Sequence, residues 1–371
     1  MKIAHLGDGH LGKRQYGLKA REEDSRKAVT ACFNKAIANK CDVIIIPGDM
    51  FDVSTQKSAA DLLHLARLVD EAKKARIRVI GIDGNHDNVD VSWLAVCGVE
   101  LFHEHEVITI DGISFYGINN CRPNQFKERL TAAVDSFITQ GQAVDVLIIH
   151  QALAEMCGFA GVDLTAEWIS EQVAMMGTRY VAMGDIHDYS EGVFNEVLFC
   201  YPGSCEMTAL GERREKYWVE ADIEEGIALP KLTKREIPVR KIKEYILGTQ
   251  DDITQMIKEV SKEYKNHLVI ARVSTDILDG MKIVHNLSHD LNVMMRIMPF
   301  KDDDTEGQDK LANAMQVPVW ERSETTSGVV EAIEKYYTPE SDEHQMITSM
   351  LSNPQSTTLI CQGFLDDSNK A

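Results

Sequence analysis

No CxxC pair, no dense cysteine spacing and no long apolar run occur in this 371-residue sequence. The eight cysteines, Cys32, Cys41, Cys97, Cys121, Cys157, Cys200, Cys205 and Cys361, are scattered. That excludes the framework that staples small secreted domains and leaves free, mostly core thiols. The longest apolar runs, such as VIII at 43–46 and VLII at 146–149, fall far short of a membrane span or the apolar region of a signal peptide. A reducing, cytoplasmic compartment with no membrane attachment is the expectation. Positive charge is also scarce: 39 Lys and Arg stand against 58 Asp and Glu, a formal charge of −19. Such a chain does not grip nucleic acid mainly through a basic surface of its own. Absence of a G-x-x-x-x-G-K-[ST] loop argues against ATP hydrolysis by this chain alone, and absence of a G-x-S-x-G elbow argues against a serine nucleophile. No internal repeat or heptad run is present.

What is present is the rhythm of a layered α/β protein. A strand near 2–6, a helix near 22–39, VIII at 43–46, a helix near 57–75 and RVIGI at 78–82 alternate in the first third. VITID and ISFYGI around Gly112 read as a hairpin. A helix near 125–138 then leads to DVLIIH at 145–150, and one near 165–176 leads to YVAMGD at 180–185, with strands at 196–201 and 217–222. Crossover units mixed with hairpins predict two stacked mixed β-sheets flanked by helices, not one parallel doubly wound sheet. The Pro- and charge-rich stretch 229–241 reads as a boundary, followed by a small strand–helix–strand unit with its helix at 251–264. From Lys301 the run KDDDTEGQDK reads as a linker, and residues 301–371 carry 14 acidic against 5 basic side chains.

The chemistry lies at strand ends. GDGH at 7–10, GDMFD at 48–52, GNHD at 84–87, His150 at the end of IIH, and GDIH at 184–187 each begin where a strand or apolar run stops. Loops at the carboxyl ends of strands converge on one crevice, so five distant segments can supply one cluster of Asp, His and Asn. Asp8, His10, Asp49 and His187 would form one mixed oxygen and nitrogen shell, and Asn85, His150 and Asp185 a second. Asp49 is the best bridge, because a shared carboxylate can hold two divalent ions about 3.5–4 Å apart. His86, next to Asn85, is the candidate for a non-ligand acid or transition-state donor, and Asp87 would orient it or hold its loop. His5, His64, His103 and His105 read as packing or solvated residues, and Ser204 as a turn residue.

Taken together these residues resemble the calcineurin-like metallophosphoesterase superfamily and, within it, the Mre11/SbcD family of DNA repair nucleases. The wider signature rests on Asp8, His10, GDMFD, GNHD, His150 and His187. HLG at 10–12, the FD at 51–52 and YPGSCEMTALGE at 201–212 sharpen it. The resemblance covers about residues 1–225. It implies a nuclease domain over 1–228, a small α/β capping domain over 236–300, and a linker with an ATPase-docking segment over 301–371. It implies two Mn²⁺ per chain, with Mg²⁺ as a substitute: one held by Asp8, His10, Asp49 and His187, the other by Asp49, Asn85, His150 and Asp185. His86 and Asp49 would be the catalytic residues. One departure stands out, since the family's last motif usually reads GHxH and this chain has GDIH.

The function so implied is a DNA double-strand-break repair nuclease subunit, with exonuclease action on duplex DNA and endonuclease action on single strands. Its partners would be DNA, an SbcC/Rad50-like ATPase bound through the C-terminal region, and a second copy in a homodimer, with helix 1 as an interface. Lys13, Arg14, Lys19 and Arg21 would contact phosphates beside the site. Two alternatives stay open: a metallophosphoesterase for phosphoproteins, cyclic nucleotides or small phosphoesters, and a DNA-end tethering scaffold with a decayed centre that regulates the ATPase.

Overall fold

The computed structural model describes residues 1–52, 59–87, 92–103, 105–158, 161–224, 228–264, 266–277, 279–290 and 294–300. The expected linker and docking segment at 301–371 lie outside the described residues. The chain divides into Met1–Ala312 and Asn313–Ala371, and every described residue belongs to the first unit.

In chain order the first run comprises β1 (Lys2–His5), α1 (Lys19–Ala38), β2 (Val43–Ile46), α2 (Ala59–Lys74), β3 (Arg78–Gly81), the one-turn α3 (Trp93–Val96) and β4 (Glu100–Leu101). A second run comprises β5 (Ile108–Ile110), β6 (Ile113–Ile118), α4 (Pro123–Gln140), β7 (Val146–His150), α5 (Ala154–Cys157), α6 (Ala166–Ala174), β8 (Tyr180–Gly184), β9 (Ser190–Phe194) and β10 (Val197–Tyr201). The chain then returns through β11 (Lys216–Asp222) and β12 (Lys231–Ile237). One six-stranded sheet has the order β12-β11-β1-β2-β3-β4 and the other β5-β6-β7-β8-β10-β9. Both are mixed: the first is antiparallel at its β12-β11 side and parallel from β1 to its β4 edge, and the second has a parallel centre between two antiparallel edges, as the alternation of crossovers and hairpins predicts.

The reason for the stacking is visible in VIII at 43–46, all four residues of which are buried. Side chains alternate across a strand, so Val43 and Ile45 face one way and Ile44 and Ile46 the other. Val43 and Ile45 join Ile3, Ile80, Phe115, Val146, Ile148 and Tyr180 between the two sheets. Ile44 and Ile46 instead pack with Ala28, Val29, Phe33 and Leu65 of α1 and α2. Leu147, Ile149 and Val181 do the same for the other sheet beneath Phe126, Leu130 and Phe137 of α4 and Ile169 and Val173 of α6. Each such side chain contributes roughly 1.5–3 kcal/mol of burial, which fixes the central strands and so the loops at their ends.

His5 lies between the sheets, its ring bonded to the Tyr180 hydroxyl at 2.7 Å and the Met183 carbonyl at 3.1 Å. Burial lowers its pKa to about 3, so it stays neutral.

The stretch 229–241 differs from the expected break. Residues 231–237 form β12, paired with β11 along its whole length. Lys231, Lys234, Arg235 and Glu236 leave the strand no clear apolar period, a pattern suited to a solvated edge strand and easily mistaken for a linker. A third sheet follows, parallel throughout, with the order β13-β14-β15 from β13 (Ile242–Leu247), β14 (Leu268–Ser274) and β15 (Met295–Phe300). Its helices are α7 (Gln250–Lys262) and α8 (Gly280–Asp290). Thr249 and Asp252 cap α7 reciprocally, and Ile253, Met256, Val260, Val269 and Val273 form a core of their own. The strand–helix–strand reading therefore lacks one further helix and strand. Among the described residues no helix is long and apolar enough to cross a membrane.

Candidate metal centre

The parallel strands β1, β2 and β3 of one sheet and β7 and β8 of the other release their chains at one shared edge. Asp8 and His10 follow β1, Asp49 follows β2, Asn85 and His86 follow β3, His150 ends β7, and Asp185 and His187 follow β8. The backbone turns sharply there, with φ of 43° at His10, 49° at Asp49 and 96° at Asp185. Left-handed backbone at residues with side chains is uncommon and clusters at functional sites. Gly84 shows how tight the edge is: a Cβ at that position would lie 2.1 Å from Asp49 Oδ1.

Three overlapping groups converge, each with ligand atoms within 4.8 Å of one another: Asp8, His10 and His187; His10, Asp49 and His86; Asp8, Asp49 and His150. His187 Nε2 lies 3.3 Å from Asp8 Oδ2 and 3.1 Å from His10 Nε2. His150 Nε2 lies 3.4 Å from Asp49 Oδ2, 3.0 Å from Asn85 Oδ1 and 3.8 Å from Asp185 Oδ1. The Asp185 amide donates to the Asp8 carboxylate. All seven residues expected as ligands thus face one crevice, and the GDIH departure leaves a carboxylate where the family resemblance implies an imidazole.

The donor set fits divalent cations. His150 donates from Nδ1 to the Pro47 carbonyl at 2.7 Å, and His187 from Nδ1 to Glu212 at 2.9 Å. Each bond fixes the ring and turns Nε2 toward the carboxylates, the arrangement that metal-ligating histidines adopt. His10 is buried, and its Nδ1 has no hydrogen-bond partner. Burial, with His187 opposite, lowers the His10 pKa to about 3, so its ring remains an uncharged donor. Burial opposes a charge on His187, yet Glu212 and Asp8 outweigh it and push its pKa up to about 10. Asp49 is buried too, and His150, His10 and His86 hold its carboxyl well below the usual range. Burial pushes Asp185 up to about 6, Asp8 and Asp49 adding to it. A carboxylate-rich, histidine-lined crevice of this kind is capable of chelating a divalent metal.

His86 is tied to the cluster through its backbone and to a separate carboxylate through its ring. Its amide donates to Asp49 Oδ1 at 2.8 Å, and its Nδ1 lies 3.1 Å from Asp52 Oδ1. Asp52, within GDMFD, is therefore the carboxylate that orients His86. Asp87 performs the other task, accepting the amides of Met50, Phe51 and Gly84 and so holding two loops together. Burial and the facing Asp49 push the Asp87 carboxyl up to about 7.

Sequence reasoning also missed Glu212, Thr208 and Lys216. Glu212 accepts from His187 and from Lys216 Nζ at 2.6 Å, while Thr208 bonds both Glu212 and His187 Nδ1. Their only sequence signal is the YPGSCEMTALGE segment and the strand after it. Arg21 is not free to meet phosphate: it is 2% exposed, bonded to Gln15, Asp24, Glu206 and the Met207 carbonyl. Lys13 is a cation whose field reaches both His10 and His86. Helix α1 spends its apolar residues Ala28, Val29, Cys32, Phe33 and Ala36 on its own core, so they are not offered to a partner.

Residues 1–171 match the family model described as calcineurin-like phosphoesterase. The chain carries a calcineurin-like phosphoesterase domain. It is also similar to the DNA double-strand break repair protein Mre11 of Saccharolobus solfataricus, at 26% identity over 97% of this chain and 97% of that one. The Mre11 protein of Sulfurisphaera tokodaii is 26% identical over 83% of this chain and 82% of its own length. A solved dimetal phosphatase from Danio rerio aligns over 64% of this chain and 96% of that chain, at 9% identity and a TM-score of 0.43. The phosphoesterase domain and the Mre11-like similarity thus overlap on the crevice that holds the His/Asp cluster.

Proposed function

We propose that this protein is a metal-dependent DNA nuclease subunit that hydrolyses phosphodiester bonds, with Mn²⁺ as its metal. The observation that carries this reading is the extent of the similarity to an archaeal Mre11 protein, 97% of both chains, which runs far beyond the phosphoesterase domain. A small-phosphoester hydrolase would need no third sheet and no acidic tail. In this reading the nuclease domain, expected over 1–228, extends through β12 to Ile237, the third sheet up to residue 300 is its cap, and 301–371 is the linker and docking segment for an SbcC/Rad50-like ATPase.

Asp8, His10, Asp49 and His187 would hold one ion, and Asp49, Asn85, His150 and Asp185 the other. When bound, two such ions supply a nucleophile from water at neutral pH and stabilise charge on the phosphoryl oxygens. The chain's own residues do the rest. Asp52 holds His86 so that Nε2 faces the crevice, where it donates a hydrogen bond to the phosphoryl group or a proton to the leaving oxygen. Glu212 keeps His187 aimed at Asp8, and Lys13 meets a phosphate beside the scissile one. With Arg21 buried and the net charge at −19, DNA affinity of the chain alone is weak and rises with metal and partners. A second copy would sit on Leu63 and Val96, 56% and 57% exposed on the adjacent α2 and α3.

The test is Mn²⁺-dependent release of nucleotides from linear duplex DNA, abolished in Asp49→Ala and lowered roughly 10²–10⁴-fold in His86→Ala. Full activity on small phosphoesters with none on DNA would overturn the reading.

A further inference from the structure

In the first sheet the strand beyond β3 is β4, and in the second the strand beyond β7 is β6. Both run parallel to their neighbours, so the loops that follow them open at the same edge as the metal centre. There they enclose a cavity of about 460 Å³ lined by Phe102, His103, His105, Tyr116, Asn119 and Arg129, with Glu128 and Ala132 of α4 at its side. The floor is aromatic: Phe102 and Tyr116 pack edge to face at 6.5 Å. The Phe102 ring lies so close to the backbone of β6 that a Cβ on Gly117 would come within 2.5 Å of it. Exposed His103, His105 and Arg129 supply N–H donors at the rim.

The cavity is tied to the cluster by the backbone. Asn119 Oδ1 accepts the Asp83 amide at 3.0 Å, and the Asn120 amide donates to the Asp83 carbonyl at 2.9 Å. Asn120 Nδ2 donates to the carbonyl of His150 itself at 2.8 Å. One wall is therefore fixed to the loop that carries Asn85 and His86, and to a residue that lines the metal centre.

We propose that this cavity is a subsite for a nucleotide next to the scissile phosphate, its base over the aromatic floor and its phosphate at Arg129 and the two imidazoles. The parts of Phe102 and Tyr116 that reach the cavity, 9% and 4% exposed, give a base an apolar seat, and a guanidinium takes phosphate in bidentate fashion. The volume lies in the range of small-ligand pockets. Glu128 is the opposing charge and keeps the phosphate on the Arg129 side. The subsite rests on the phosphodiesterase reading for what the neighbouring centre cuts, but its occupancy is measurable without cleavage.

The probe is the 5′-phosphorylated dinucleotide pdApdA, titrated in EDTA and followed by ligand-observed NMR. Ala132→Trp fills the cavity from the exposed face of α4 without touching the core, Arg129→Ala removes the cation, and Glu128→Gln removes the opposing charge. Thermal unfolding confirms that each variant is folded. We expect Ala132→Trp and Arg129→Ala each to weaken binding about tenfold, and Glu128→Gln to strengthen it. No binding to the native protein, or equal binding by native protein and the first two variants, overturns the subsite. If those variants lose the dinucleotide while the native protein leaves duplex DNA uncut, the nuclease reading fails and the subsite stands. If DNA is cut and the variants bind normally, the reverse holds.

Discussion

Glu212 accepts the Nδ1 proton of His187 at 2.9 Å, and the buried ammonium of Lys216 lies 2.6 Å from the other oxygen of the same carboxylate. His187 and Lys216 hold that carboxyl well below its usual range despite its burial. A ring so anchored presents Nε2 to the cluster in one orientation. Glu212→Gln should therefore lower Mn²⁺ affinity by about 10–100-fold, read by calorimetric titration. An unchanged affinity would show that Glu212 serves the fold and not the metal.

Asp52 plays the corresponding part for His86, which burial alone would leave with a lowered pKa but which Asp52 and Asp49 raise. His86→Ala should lower kcat by roughly 10²–10⁴-fold while the number of bound ions stays the same. Asp52→Asn should show a smaller loss, and the double variant should lose no more than His86→Ala. Additive losses in that cycle would mean that the two side chains act separately.

Asp185 is the departure from GHxH, and its carboxylate sits 3.8 Å from His150 Nε2. Asp185→His should keep two ions per chain and preserve or raise nuclease activity, whereas Asp185→Ala should lower occupancy of the second ion. Metal stoichiometry by mass spectrometry decides this. A severe loss in Asp185→His would show that the surrounding shell is built around the carboxylate.

Asp145 joins β6, β7 and β8, accepting from the amide and hydroxyl of Ser114 and from Arg179 at 2.7–2.9 Å. Burial opposes its charge, but these partners lower its pKa below the ordinary value. A depressed carboxylate pKa contributes stability above the unfolded value near 4, and that stability is lost as pH falls through the folded pKa. Since the side chain is partly exposed, the contribution is on the order of 1 kcal/mol after screening. Urea unfolding should show Asp145→Asn weaker than the native protein at pH 7 and equal to it at pH 2. A gap independent of pH would rule out the charge as its origin.

The buried Arg21 bonds Asp24 and Glu206, and Asp24 also takes both ends of Arg240 at 2.7 Å. Removing one partner of a buried pair leaves the other charge stranded, so Arg21→Ala should cost about 3 kcal/mol in denaturant unfolding. Lys74→Ala, at an exposed pair with Asp70, should cost much less. Equal costs would mean that the network carries no more than a surface pair.

Strand composition reports burial directly, so the uninterrupted apolar runs VIII at 43–46 and VLII at 146–149 mark central strands covered on both faces. The small edge elements β4, β9 and β12 are not legible in the same way, because a short or charge-laden edge strand carries no apolar period of its own. The third sheet is half legible: α7 has paired aspartates and a capping box, whereas α8 and β15 lack such a signal in the sequence.

Strand ends followed by GD, GNHD and GDxH, or closing on His150, determined, from the sequence by itself, that Asp8, His10, Asp49, Asn85, His86, His150, Asp185 and His187 would gather at one edge. Parallel strands must release their chains on one side, and that holds whatever the loops do. Only the tertiary structure decided which neighbours tune them. Asp52 orients His86 while Asp87 holds loops, Glu212 reaches His187 from 25 residues away, and Arg21 is buried among carboxylates and not offered to phosphate. Those contacts depend on the register and packing of distant segments, in which a shift of one residue turns a side chain to the other face.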